Sequence, residues 1–206
     1  SGSPNVIYFG PGVHRPGRVA VGSGQTLYLA GGAIVKGAIR ARGSNIRICG
    51  RGILDGSDYR WREGPAQCSV SIAGTDVHVE GITVRGSPCW TIGIFDSRRV
   101  TVENVKICNG RVKNDDGINP CNSQDVLIRD CFIRSDDAGV YRVGSRHESD
   151  TLVRLDDTEV ARFVLKLLQF DLHFLAQLVV ERRQRLVQQQ HLRLRGECPG
   201  ECDALL

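Results

Sequence analysis

The sequence predicts an all-β fold, a right-handed parallel β-helix over residues 1–144, followed by a helical or disordered segment over 145–206. Three observations carry this. The first part is crowded with Gly, Val, Ile and turn residues. A three-strand pattern recurs in it with a period of 22 to 26 residues. The composition then changes near residue 144: glycines number 22 before it and two after, leucines four before and 13 after. Short β-rich runs separated by turn residues read as strands. A period of this size reads as a solenoid whose coils bury their inward side chains only by stacking.

The chain has 206 residues, enough for one domain with a core, and 41% of them are hydrophobic, which excludes wholesale disorder. A net charge of +4 does not call for nucleic acid. No run of 18 apolar residues is present, so no membrane-spanning helix is expected. No leader-like stretch precedes NVIYF, where strand-like sequence begins. The eight cysteines lack metal-ligand spacing, since CPGEC at 198–202 has no second half, and they do not fix a compartment.

In chain order, PGVHRPGRVAVGSGQTLYLAGGAIVKGAI (11–39) reads as entry strands and bends, and its Gly-Gly lacks the lysine and serine of a phosphate loop. NIRICGRGILDG from Asn45 is a first copy of a repeat, with a small insertion. SDYRWREGP, holding Trp61, is an insertion between coils, where cleft walls are usually built. Then DVHVEGITVRGS, RVTVENVKICNG and DVLIRDCFIRSD align, with Val77, Val100 and Val126 spaced 23 and 26 residues apart. Each copy bends at Gly81, Asn104 or Asp130, residue types that tolerate left-handed backbone. A further strand precedes each copy, and its anchors Val70, Ile92 and Ile118 keep step with the others. An antiparallel sandwich is the competing fold; bend residues in register favour the β-helix. In the tail, Val160, Phe163, Leu167, Phe170, Phe174 and Leu178 recur at helical spacing. ERRQRLVQQQHLRLR (181–195) is basic without interleaved aromatics and reads as a solvated face or as non-native sequence.

The register bears on the acids of NDDGINPCNSQDVLIRDCFIRSDD (114–137). Asp136 and Asp137 follow Asp116 by 20 and 21 residues, close to one period. Stacked coils are about 4.8 Å apart, so acids distant in sequence become neighbours. Close carboxylates repel, and one of them keeps its proton more firmly. A protonated acid beside an ionised partner is the equipment for glycosidic cleavage. Aspartates are also ordinary turn residues, and that alternative stands beside the catalytic one. Arg134 is a candidate contact for an acidic sugar, and Trp61 a candidate stacking surface for a sugar ring. The five histidines form no spaced cluster, so no metal site is expected.

At these residues the chain resembles the family 28 glycoside hydrolases, the polygalacturonase-type enzymes of the pectin-lyase-like β-helix superfamily. Asn114-Asp115-Asp116-Gly117 matches their Asn-x-Asp-Gly motif, and Asp136-Asp137 resembles the Asp-Asp pair one coil later. The similarity covers roughly residues 5–137. It implies inverting hydrolysis of a pectin-like or related polysaccharide without metal or cofactor. Asp136 would be the general acid, Asp116 and Asp137 would activate water, and Asn114 would join Arg134 and Trp61 as a substrate contact. Aligned without a gap, the pair falls instead on Asp137 and Ala138, and one carboxylate is missing. The resemblance also implies a secreted or periplasmic protein whose partner is the polysaccharide, with no nucleic acid and no membrane; the oligomeric state is unspecified.

After Asp137 the expected Cys-Ile-Ala is replaced by AGVYRVG, and the family's Gly-His-Gly and Arg-Ile-Lys motifs are absent. A truncated or frameshifted reading frame accounts for this, as does a helical cap on the last coil. Three functions follow as alternatives: a hydrolase, impaired by the missing motifs; a non-catalytic, carbohydrate-binding or inactive β-helix; and a polysaccharide lyase.

Overall fold

The structure, a computed structural model, describes residues 5–140, 153–156 and 159–162. It is a parallel β-solenoid of about six turns, as the repeat predicts. Three ladders of strands run along it. The first joins the later part of β2 (Gly12–Val21), the middle of β4 (Ala33–Gly50), the start of β6 (Val70–Glu80), β8 (Ile92–Phe95) and β11 (Ile118–Cys121). The second runs from β1 (Val6–Phe9) and β3 (Thr26–Leu29) through β4 and β6 to β9 (Arg98–Glu103) and β12 (Gln124–Arg129). The third joins β2 and β4 to β5 (Ile53–Asp55), β7 (Thr83–Arg85), β10 (Lys106–Cys108) and β13 (Phe132–Ser135).

The sequence register is the structural register. Val77 pairs with Val100 and Val100 with Val126, while Val70 pairs with Ile92 and Ile92 with Ile118. The expected bends at Gly81, Asn104 and Asp130 have φ of 77°, 51° and 52°. Each turns the chain so that the next residue, Ile82, Val105 or Cys131, points inward and is buried. The core is a set of such stacks, among them Val35, Leu54, Val84, Ile107 and Ile133. Each fully buried aliphatic side chain contributes about 1.5–3 kcal/mol. A second set of left-handed residues, Asn45, Asp76, Arg99 and Asp125, opens each copy of the repeat.

Two further strands lie past residue 144, where a helix-rich segment is expected from the sequence. β14 (Val153–Asp156) pairs in parallel with β12, and β15 (Glu159–Arg162) with β13. Val153 follows its partner Val126 by 27 residues, and Val160 follows Ile133 by the same interval. VRLDDTEVAR thus aligns with VLIRDCFIRS as a further copy of the repeat. The helical reading fails for these two strands, and the described solenoid reaches Arg162 within a unit ending at Phe163. The rest of the tail, including 181–195, lies outside the described residues. Among the described residues no helix is long and apolar enough to cross a membrane.

Candidate active site

Asn114 to Gly117 form the turn that leads into β11 on the first ladder. Asn114 has φ of 55°, so its side chain type serves the turn directly. Gly117 is required by close packing: a methyl added to it would overlap the carbonyl oxygen of Gly139 and Ile133 Cγ2. The two acids between them have different jobs. Asp115 is fully buried; its Oδ2 accepts the Gly110 N–H at 2.6 Å and its Oδ1 accepts the Asp136 N–H at 3.0 Å. It ties the loop before the site to the coil above, a structural role that the sequence does not announce.

Asp116 is 5% exposed, and Asn119 Nδ2 donates to its Oδ2 at 2.7 Å. Burial, then the nearby charges of Asp137 and Asp115, push its carboxyl above the ordinary value of 3.8, against the opposing Asn119 hydrogen bond. Asn119 is fully buried, and its Oδ1 accepts no hydrogen bond from the protein. Sequence reasoning passed over it, although its position three residues after Asp116, on the same strand entrance, was the available signal.

The remaining candidates separate. Asp136 and Asp137 are exposed. Asp137 acts electrostatically on Asp116, whereas Asp136 lies over Gly110 and is coupled to Asp115. Desolvation of its carboxyl and the Asp115 charge raise the pKa of Asp136, and the Arg134 charge lowers it. Arg134 stands on β13 of the third ladder, in register with Cys108 and Arg85. Trp61 is 44% exposed, with the Arg62 guanidinium 4.7 Å from its ring. Its insertion is anchored beside the site, because Arg111 donates to Tyr59 O at 2.6 Å.

Register decides which residue lies directly above Asp116. Gly117 N donates to Ala138 O, Ile118 N donates to Gly139 O, and Ile118 pairs with Val140. Counting back, Ala138 is stacked on Asp116, and Asp137 is one residue off that position. On the coil below, Thr91 N donates to Asp116 O. Next to Thr91, Trp90 stacks on Phe95 with ring centroids 6.3 Å apart. Asn109 donates to Thr91 Oγ1 and accepts the Ser87 N–H, a buried network that holds the loops around the acids.

Register also assembles one group of possible metal ligands that linear spacing hid. His78, Glu80 and Glu103 bring ligand atoms within 4.8 Å of one another on the outside of the second ladder. Arg47 holds Glu80 at 2.7 Å, Arg129 Nε donates to Glu103 at 2.6 Å, and His78 Nε2 lies 2.8 Å from Glu103. With both carboxylates already held by guanidinium groups, this is an ion-pair ladder.

The site is thus a buried carboxyl, Asp116, near the charge of Asp137 at the end of the first ladder of a parallel β-solenoid. Residues 38–145, more than half of the chain, match the family model of Glycosyl hydrolases family 28, and the chain belongs to that family. A curated relative from Emericella nidulans, named "Probable exopolygalacturonase B", is 33% identical over 118 residues, 44% of this chain and 27% of the relative. The chain therefore spans about a quarter of the length of such relatives. Among solved structures, a family 28 exopolygalacturonase of Yersinia enterocolitica superposes with TM-score 0.63 at 17% identity, over 77% of this chain and 44% of that one. The polygalacturonase of Erwinia carotovora gives 0.58 at 16%, over 77% and 53%. These two share the fold.

Proposed function

We propose that the chain carries the acid–base centre of a hydrolase that cleaves O-glycosidic bonds in a pectin-like, uronate-containing polysaccharide, with Asp116 and Asp137 as its carboxyl pair. The observation that carries this reading is the buried Asp116, held by Asn119 and facing the charge of Asp137, within the family-matched segment. Two such carboxyls retain one proton more readily than two isolated ones. The protonated member supplies a proton to the leaving oxygen, and the ionised member draws one from water; inversion follows where the two leave room for that water. Asp136, coupled to Asp115, sits outside the pair and shapes its field. Ala138 stands where a third carboxylate would stack on Asp116, which supports reduced activity relative to the longer relatives.

That same alanine favours a second reading, a carbohydrate-binding β-helix without turnover. Release of reducing ends from polygalacturonate separates the two. The hydrolase reading expects release that falls about 10²–10⁴-fold in Asp116→Asn and in Asp137→Asn, and only a few-fold in Asp136→Asn. No release, with binding retained, establishes the second reading. An ultraviolet-absorbing unsaturated product overturns both in favour of a lyase.

A further inference from the structure

CNGR (108–111) holds the only Asn-Gly dipeptide in the chain, between β10 and the turn that leads to the acids. Asparagine before glycine is chemically labile, because no side chain hinders the following backbone nitrogen as it attacks the amide carbon. In that step Gly110 N bonds to Asn109 Cγ, and the side-chain nitrogen leaves as ammonia. Water then opens the succinimide to aspartate or isoaspartate. The net change is one water in and one ammonia out.

The fold opposes each part of this step. Asn109 is 6% exposed. Its Oδ1 accepts the Ser87 N–H at 3.1 Å and its Nδ2 donates to Thr91 Oγ1, so the amide is held at both ends. The attacking nitrogen is held too, because Gly110 N–H donates to Asp115 Oδ2 at 2.6 Å. A carboxylate acceptor makes such a bond about twice as strong as a neutral one. Asp115 is fully buried and stands outside the carboxyl pair, and this bond gives it a task of its own.

We propose that Asn109–Gly110 is a latent deamidation site, locked in the folded coil by Asp115, Ser87 and Thr91, and that opening the lock sets a permanent carboxylate on the coil below Asp116. An aspartate fits the same place: one oxygen keeps the Ser87 N–H, and the Thr91 hydroxyl turns to donate to the other. Thr91 N donates to Asp116 O, so Thr91 is the link between the new charge and Asp116. A further like charge there favours the protonated form of Asp116. Isoaspartate instead lengthens the backbone beside the bond from Asn109 N to Arg134 O and weakens the pairing of β10 with β13. The modification stands apart from the hydrolase reading; only its effect on the acid pair rests on that reading.

Peptide mapping by mass spectrometry, with isoaspartate detection, follows Asn109 in the intact chain held at mildly alkaline pH. The folded chain is expected to keep Asn109, and the same chain in urea to lose it at least about tenfold faster. Asp115→Asn and Thr91→Val are expected to lose it several-fold faster than wild type while still folded by circular dichroism; where Asp115→Asn does not fold, Thr91→Val carries the test. Val35→Ala, a core truncation three pairings away from Ile107, is the control for general loosening. Loss in Val35→Ala as fast as in the lock variants overturns the lock, and so does loss in Asp115→Asn slower than in wild type. An Asn109 that survives urea overturns the site itself. NMR titration of Asn109→Asp judges the effect on the pair: a raised Asp116 midpoint is expected, and an unmoved one overturns that effect while reducing-end release judges the hydrolase reading independently.

Discussion

Asp116 shows what the coil does to a single residue. A carboxylate in a turn would be solvated; here burial and two negative neighbours favour its protonated form. The sign of the stability effect follows. A carboxyl whose pKa is raised on folding contributes stability fully below its unfolded value of about 3.8, and that contribution is lost as pH rises through the higher folded value. Asp116→Asn is therefore expected to raise the melting temperature at pH 7 more than at pH 3, as differential scanning calorimetry at the two pH values would show. A larger gain at pH 3 would contradict the assignment.

Asp55 is the opposite case. It is fully buried, but hydrogen bonds from Ser57, Arg85 and Lys36 outweigh the burial and hold its carboxyl down to about 2. Its stabilising contribution is present above pH 3.8 and is lost as pH falls through about 2. Asp55→Ala leaves Lys36 and Arg85 without their shared partner beside the root of the insertion. Urea unfolding at pH 7 is expected to show a cost of about 3–5 kcal/mol. At this scale the sequence revealed that acids gather, but not what each one does. The difference between Asp115 and Asp116 is a difference in which backbone N–H groups lie within reach, and that depends on the loop from Gly110 to Asn114.

At the scale of the element, the bends and the strand register were readable because they repeat. Asn104 and Asp130 sit at φ near 50°, so Asn104→Gly is expected to be close to neutral and Asn104→Ala to cost about 1–2 kcal/mol, read as a change in urea midpoint. A methyl at Gly117 has no free space, so Gly117→Ala is expected to cost about 1–3 kcal/mol and to displace Asp116 from Asn119. The strands β14 and β15 were missed for a physical reason. Their alternation, V-x-L and V-x-R, is short, and it merges into Leu-rich sequence whose apolar residues also satisfy a helical period. The fixed step of 27 residues from β12 and β13 was the better signal. It carries the repeat to Arg162, past the residue 137 region where the family motifs are lost.

Across the whole molecule, the solenoid makes function a matter of stacking. One ladder carries, in order, Arg40, Ser71, Gly93 and Asn119, the residue that holds Asp116. None of this is local in sequence: Arg40 and Asn119 are brought into one row by three successive pairings. The same stacking placed Ala138, rather than Asp136 or Asp137, over Asp116, an outcome that turn lengths alone left open.

The central claim is that register brings Asp116 and Asp137 into one electrostatic unit. Its most direct test is the carboxyl titration of Asp116, followed by NMR in the wild-type chain and in Asp137→Asn. The structure predicts a raised Asp116 pKa that moves back toward the ordinary value when the Asp137 charge is removed, with a smaller movement in Asp136→Asn. An Asp116 titration indifferent to Asp137, or one that responds to Asp136 alone, would contradict it.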